Sequence, residues 1–385
     1  MFCAEDGDSF LLHFGVGADF NILIDMGRGS TYNRFIKADL TALSKKQRKL
    51  DLLVITHIDE DHIGGAIPFL QENGPDNAII KIGEIWHNTY RHLQFSKPKS
   101  EISSDEERKA LKQLISQNAT EKDKEGWRDI SVESGVSVGG LILKYGYNWN
   151  ISFNGLAVCV DNQPELFSFP VKLTMLSPGK NELKELGRIW ERKLHTIFYD
   201  FQLGKEEIFD DAFEYTFKND RDQSGHLSEI AGGWNKTLEE YALREKKDNS
   251  KVNASSIAFI IEYDEKKLLF LGDAIPDNVI QELRLLKGEG KHFFDLVKIS
   301  HHGSAGNTST ELLDLISARK YLISTNGVLH SHPAVETISK ILVKSSTHMK
   351  ELIFNYRIKA FEYLENADIQ AKYNFTVNYL NEIEL

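Results

Sequence analysis

Cysteine is nearly absent. Only Cys3 and Cys159 occur, too few for a disulfide framework, and neither has a partner at metal-ligand spacing. Long apolar runs are missing too: nothing approaches the roughly 18 apolar residues of a membrane span. The opening Met1-Phe2-Cys3-Ala4-Glu5-Asp6 has neither a basic segment nor an apolar core, so no signal peptide is expected. Positive charge is in deficit, with 46 Lys and Arg against 57 Asp and Glu and a net charge of −11. That balance argues against a generally basic nucleic-acid coat, while leaving room for local basic patches. No strand interleaves aromatic and basic residues as a nucleic-acid face would. There is no P-loop, no GxGxxG element, no Ser-His-Asp or Cys-His order, no internal repeat and no low-complexity tract. What these absences leave is a soluble, cytoplasmic chain. Its 385 residues, 41% hydrophobic and 27% charged, suffice for a sizeable core.

The chemistry is concentrated in Thr56-His57-Ile58-Asp59-Glu60-Asp61-His62-Ile63-Gly64-Gly65. This stretch follows Leu52-Leu53-Val54-Ile55, a short β-branched run that reads as a buried strand. Polar groups gathered at the end of a buried strand are costly without a partner. A cation is the partner that suits His57, Asp59, Asp61 and His62 together. Mixed imidazole and carboxylate ligands fit zinc, manganese or iron. Asp61 is placed at the start of a helix running through Ala66-Ile67-Pro68-Phe69-Leu70, where an N-cap is a competing role. The Gly64-Gly65 pair suggests backbone passing close to something.

The stretch resembles the metal-binding motif of the metallo-β-lactamase superfamily, usually HxHxDH. Here it reads HxDxDH, with Asp59 where the second His is usual. That variant is similar to the hydrolase domain of ComEC-type DNA-uptake proteins and their soluble relatives. The resemblance covers only the hydrolase part, since ComEC itself is membrane-embedded. It implies an α/β fold (α+β by some schemes), the αββα metallo-β-lactamase sandwich, here with helical insertions. The whole chain, 1–385, is expected to form one such domain. Its core is read as about 1–87, 166–179 and 251–345, with insertions at about 88–165 and 180–250. Residues 346–385 extend the core.

Within the core, Ser9–Phe14 and Asn21–Gly27 read as a hairpin, similar to the opening hairpin of the superfamily, in which an Asp-x-Gly pair lies beneath the metal site. Asp25 matches that pair, although a turn-forming Asp before Gly explains it equally well. Ser256–Tyr263 and Lys267–Leu271 read as a second hairpin, Val171–Leu176, Leu296–Ile299 and Tyr321–Ser324 as strands, and Asp277–Leu286 and Thr310–Ser317 as helices. Charged helical stretches at Ser103–Asn118, Asn181–Lys193 and Leu238–Lys247 and a solvated run at Lys122–Glu125 mark the insertions.

The resemblance also assigns the rest of the site. Gly272-Asp273-Ala274 ends a strand, and Asp273 matches the bridging carboxylate of the superfamily. Ser300-His301-His302-Gly303-Ser304 is similar to the His-His-Gly-Ser of ComEC-like chains. Adjacent residues on an extended chain face opposite ways, so one of the two is expected as ligand. His301 is favoured for that role, with His302 as the substrate or proton-transfer group. His332, in His330-Ser331-His332-Pro333, is a candidate contact to phosphate or leaving group, or an exposed loop histidine. The third His usual before the bridging Asp is absent. Asn253 stands in its place, and His226 is a remote substitute. His87 and Trp149 read as structural. The expected ligands are thus His57, Asp59, Asp61, His62, Asp273 and His301, for two divalent ions, Zn²⁺ or Mn²⁺. Asp61, His302 and His332 are the expected catalytic groups.

By this resemblance the function is hydrolysis by a metal-bridged hydroxide, with a phosphodiesterase or nuclease first. A hydrolase of small esters, lactones or thioesters is the second reading, and a partner-binding protein with a vestigial site the third. The expected partners are a nucleic acid or nucleotide substrate, no membrane, and a protein docking on the insertions.

Overall fold

The computed structural model describes residues 1–95, 104–119, 135–164, 167, 169–197, 206–218, 237–329, 332–344 and 348–385. The chain divides into two compact units. The first comprises Met1–Leu11, Cys159–Gly179 and Asp222–Leu385, the second Leu12–Val158 and Lys180–Arg221.

The second unit is built on a four-stranded sheet in the order β1-β2-β3-β4. Its strands are β1 (Phe10–Phe14), β2 (Phe20–Ile24), β3 (Leu50–Val54) and β4 (Ile82–Trp86). β3 runs parallel to both β2 and β4. Every residue of β2 and β3 is buried, which explains the unbroken aliphatic runs, since parallel strands are covered on both faces. The helix Ala66–Asn73 lies between β3 and β4 in the chain and buries Phe69 and Leu70.

Among the described residues, four α-helices of this unit come from the stretches read as insertions. Asp105–Asn118 starts at a capping box in which Ser104 and Glu107 satisfy each other's backbone N–H groups. Lys180–Ile197 buries Leu183, Leu186, Trp190 and Leu194, one stripe at helical spacing. That stripe meets the helix Glu207–Phe217: Trp190 packs edge-on against Phe213 at 5.8 Å and against Tyr90 at 6.1 Å. Val138–Tyr145 forms despite the glycines at its start. Asp211 accepts from the backbone of Gly135, Val136 and Ser137, and Glu214 from that of Val138 and Gly139. These carboxylates take up N–H groups that a helix start leaves without partners. A Cβ on Gly140 would lie 2.5 Å from Asp211 Oδ1, so the glycine is what admits the carboxylate. His87 and Trp149 belong to the same packing: His87 Nε2 meets Glu214 at 2.9 Å, and the Trp149 indole stacks on its ring and donates to its carbonyl.

The first unit carries a seven-stranded sheet in the order β11-β10-β9-β8-β7-β6-β5. Its strands are β5 (Lys172–Ser177), β6 (Ala258–Tyr263), β7 (Lys266–Phe270), β8 (His292–Lys298), β9 (Ile316–Ile323), β10 (Lys350–Phe354) and β11 (Phe375–Tyr379). β6 is antiparallel to β5 and β7; the remaining pairings are parallel. Asp264 and Glu265 turn the β6–β7 hairpin with φ of 46° and 63°, the sign a two-residue hairpin turn of the primed type demands. The core forms where Leu269, Phe294, Val297 and Ile323 of the sheet meet Val279, Leu283, Ile338 and Ile341 of the helices Pro276–Lys287 and Val335–Val343.

Local boundaries differ from the sequence expectation in several places: β8 begins at His292 rather than Leu296, and β9 at Ile316 rather than Tyr321. The helix expected over Thr310–Ser317 ends at Leu315, and Ile316 already begins β9 beside β8. The helix expected over Leu238–Lys247 stops at Ala242. Residues 346–385 supply β10 and β11, the far edge of the sheet. His226, His330 and the run Lys122–Glu125 lie outside the described residues. Two sheets with many helices make this a mixed α/β structure, as expected. Among the described residues no helix is long and apolar enough to cross a membrane.

Candidate metal centre

In the second unit, β3 ends at Val54 and the polar segment follows at once. Asp25, two residues before Gly27, has φ of 56° and is 1% exposed. One carboxylate oxygen accepts the Thr56 backbone N–H at 2.8 Å. The other accepts the Thr56 hydroxyl and His62 Nδ1, each at 2.8 Å. With its own proton given to Asp25, the Thr56 oxygen lies 3.0 Å from His57 Nδ1 and accepts from it. Asp25 therefore sets both imidazoles, His62 directly and His57 through Thr56, with the proton on Nδ1 and the lone pair on Nε2. This is the arrangement that metal-ligating histidines use. The rings are 4.2 Å apart, and both are buried.

Both Nε2 atoms face carboxylates. His57 Nε2 is 3.4 Å from Asp59, and His62 Nε2 is 3.8 Å from Asp61. Asp59 occupies the N-cap position of the short helix Glu60–Ile63 but makes no side-chain capping bond. The N-cap role expected as an alternative for Asp61 does not arise, because Asp61 lies inside the helix. Burial raises the Asp59 carboxyl above the usual range; the hydrogen bond and charge of His57 offset only part of that. A cation between these groups would relieve the cost.

The segment is fastened from two sides. Gly65 donates to the Gly27 carbonyl at 2.9 Å, and Met26 to the His62 carbonyl at 2.8 Å. A Cβ on Gly65 would stand 2.2 Å from the Met26 oxygen. The close approach expected from Gly64-Gly65 is thus to the chain's own Met26–Gly29 segment. On the other side, Glu60 donates its N–H to the Lys218 carbonyl at 3.1 Å, and the Lys218 ammonium meets the Glu60 carboxylate at 3.0 Å. Lys218 caps the helix Glu207–Phe217, so this helix helps hold the 57–62 segment.

In the first unit, Gly272-Asp273 follows β7, and Ser300–Gly303 follows β8. His301 and His302 have φ of 48° and 53°. Two successive left-handed residues do not alternate as an extended chain does, so the premise that opposed the two rings fails. Both point the same way: His301 Nε2 is 3.7 Å and His302 Nε2 3.8 Å from Asp273 Oδ2. Gly303 follows with φ of 88°, against Pro333. His332 stands next to the pair, its ring 5.1 Å from that of His301.

The two histidines are held differently. His302 Nδ1 donates to the Ser324 carbonyl at 2.9 Å, with Asp8 3.4 Å behind it, which leaves its Nε2 as a lone pair. His301 Nδ1 faces Asn307 Oδ1 at 3.0 Å and Asp248 at 3.7 Å. Burial pulls the His301 imidazole down, but the charge of Asp273 and the hydrogen bond of Asp248 outweigh it and leave it at about 9. Asp8, Asp273 and His302 each offer a ligand atom within 4.8 Å of one another. Asn253, in the place of the usual third His, donates to Asp248 at 2.7 Å. Its amide oxygen is buried and has no hydrogen-bond partner among the described residues, as a weak ligand atom would be.

Three contributors escaped the sequence reading of the site. Asp8 lies in Gly7-Asp8-Ser9, at the start of the hairpin that resembles the superfamily's opening, with no role of its own assigned. Asp248 sits in a charged run without distinguishing pattern. Lys298 showed itself only as one charge inside an apolar strand. It is 1% exposed, bound to Asp8 and to the Gly272 carbonyl.

The donor chemistry fits divalent metal: imidazoles with fixed tautomers, carboxylates beside them, and an amide oxygen left open. No curated protein matches the chain. A solved structure that it resembles is the metallo-beta-lactamase fold protein YhfI from Bacillus subtilis, at 11% identity and a TM-score of 0.36, covering 97% of this chain and 89% of that one. Residues 5–146 match the family model for the metallo-beta-lactamase superfamily. Over those residues the chain is similar to that superfamily, in the stretch that includes the HxDxDH segment.

Proposed function

We propose that this protein is a metal-dependent phosphodiesterase acting on a nucleic acid or nucleotide. The observation that carries the reading is the ligand set itself. Asp59 stands where the superfamily has a second imidazole, and the Asp25–Thr56 relay gives His57 and His62 the tautomer a metal needs. A carboxylate-rich set suits hard, oxygen-preferring ions such as Mn²⁺ as well as Zn²⁺, and such ions are at home on phosphate oxygens. The residues assigned to hold metal are His57, Asp59, Asp61, His62 and Asp273, with His302. His302 is preferred over His301 because its Nδ1 is committed to the Ser324 carbonyl. His301 and His332 then serve as proton donors to the leaving oxygen. Bound divalent metal supplies a water acidified to near neutrality and an electrophilic contact for phosphate.

The test is a hydrolysis screen. Purified protein with Mn²⁺ or Zn²⁺ is expected to cleave bis-p-nitrophenyl phosphate and single- or double-stranded DNA, and chelator or Asp61→Ala to abolish this. Activity that survives both overturns the site assignment. Turnover of acyl-homoserine lactones with phosphodiesters left intact would move the reading to lactone hydrolysis.

A further inference from the structure

The most anomalous charge in the first unit is Lys298. It ends β8, between Val297 and Ile299, which are also buried, and is itself 1% exposed. An ammonium there is tolerable only if fixed partners replace water. Among the described residues three surround it: the Asp8 carboxylate, the Gly272 carbonyl at 3.0 Å, and Asp273 Oδ1 at 3.9 Å. The two oxygens of Asp273 therefore have different surroundings. Oδ1 faces the ammonium; Oδ2 faces the His301 and His302 Nε2 atoms at 3.7 and 3.8 Å.

A carboxylate that bridges two metals gives one oxygen to each. Here a cation belonging to the chain already stands at one of them. The amide that replaces the usual third imidazole, Asn253, offers a neutral and weakly basic oxygen nearby, held by Asp248. Both changes disfavour a second ion. Lys298 is anchored from below by Asp8 and by the carbonyl of the residue preceding Asp273, so it cannot swing away without stranding a buried charge.

We propose that Lys298 is a resident cation that takes the place of a second metal at Asp273, so that Asp273 binds one divalent ion through Oδ2 and does not bridge two. The proposal rests on the hydrolase reading above and narrows it. The centre is then mononuclear, with Lys298 fixing the orientation of Asp273 whether or not metal is bound. Lys298 acts on substrate only through Asp273 and is a positioning residue.

Metal-free full-length protein titrated with Mn²⁺, followed by calorimetry, elemental analysis and EPR, tests this. The wild type is expected to bind one ion tightly and any second about 100-fold more weakly, a factor at the upper end of what outer-sphere partners control. Its EPR should be the six-line spectrum of isolated Mn²⁺. In Lys298→Met, the second ion should bind about tenfold or more tighter, with the exchange-coupled spectrum of two ions sharing a carboxylate. A wild-type chain holding two coupled ions of similar affinity overturns the proposal and leaves the hydrolase reading standing. A folded Lys298→Met chain that still takes only one ion also overturns it. A wild type that binds no ion overturns both. The wild-type titration decides even if the variant fails to fold.

Discussion

Asp25→Asn is the change that most directly separates a metal-holding network from a buried turn. The Asp25 carboxylate accepts three hydrogen bonds of 2.8 Å, from the Thr56 N–H, the Thr56 hydroxyl and His62 Nδ1. The asparagine keeps one oxygen for the Thr56 N–H, but its NH₂ then faces the hydroxyl and the imidazole. A donor facing Nδ1 drives the His62 proton to Nε2, which removes the lone pair a metal would use. The hydroxyl of Thr56, now accepting from the amide, no longer orders His57. Loss of such supporting partners costs about 10–100-fold in metal affinity, or roughly 1.4–2.7 kcal/mol. The assay is calorimetric titration with Zn²⁺ and Co²⁺, with the visible Co²⁺ spectrum reporting imidazole ligation and circular dichroism reporting the fold. Thr56→Val should break the His57 branch alone and give a smaller loss, while Thr56→Ser, which keeps the hydroxyl, should behave as wild type. A folded Asp25→Asn protein with metal affinity within about twofold of wild type and an unchanged Co²⁺ spectrum would refute the tautomer argument.

Two further outcomes are expected. Gly65→Ala places a Cβ 2.2 Å from the Met26 carbonyl oxygen, a backbone contact that cannot yield. Overpacking of this kind costs about 1–3 kcal/mol, so denaturant unfolding should show that loss together with weakened metal binding, and an unchanged midpoint would count against the described path of the segment. Lys350 donates to the carbonyls of Ile341, Leu342 and Lys344 at the end of the helix Val335–Val343. Burial, with Lys291 nearby, pulls its ammonium down from 10.5 to about 8. Below pH 8 both folded and unfolded chains carry the proton, and the cost of burying it is felt in full. Between about 8 and 10.5 only the folded chain sheds it, so stability should rise with pH across that window, by up to roughly 3 kcal/mol. Urea unfolding from pH 7.5 to 10.5 should show the rise in wild type and not in Lys350→Met; parallel curves would dismiss it.

Which parts of the site could be read from the chain follows from how locally each is encoded. His57, Asp59, Asp61 and His62 are adjacent to one another and to an apolar strand, so composition alone exposes them. Asp273 follows a strand and a glycine, a pattern a turn cap explains equally well, and only the resemblance singles it out. The strands of the core are equally local, as β3 and β8 show. Lys298 and Asp8 are different, because each is ordinary by itself and only their pairing across distant segments makes either meaningful. The same holds for Val138–Tyr145, whose glycines weaken a helix and whose start is held by the carboxylates of Asp211 and Glu214 from a remote segment.

His301 and His302 show a subtler limit. Alternation was the natural assumption for two residues leaving a strand, and it assigned them opposite directions. Their φ values of 48° and 53° turn both rings toward Asp273 instead. Histidine enters that region more readily than most side chains, but it is still uncommon there; the contacts that hold it, His301 N–H to Gly272, His302 Nδ1 to Ser324 and Gly303 against Pro333, all come from other parts of the chain. Strained backbone retained by such contacts is commonest where function needs a side chain aimed. The gain here is definite: one imidazole receives a fixed tautomer from Ser324, and its neighbour is placed between Asp248 and Asp273. Two residues that look interchangeable in the sequence thereby acquire separate chemistry.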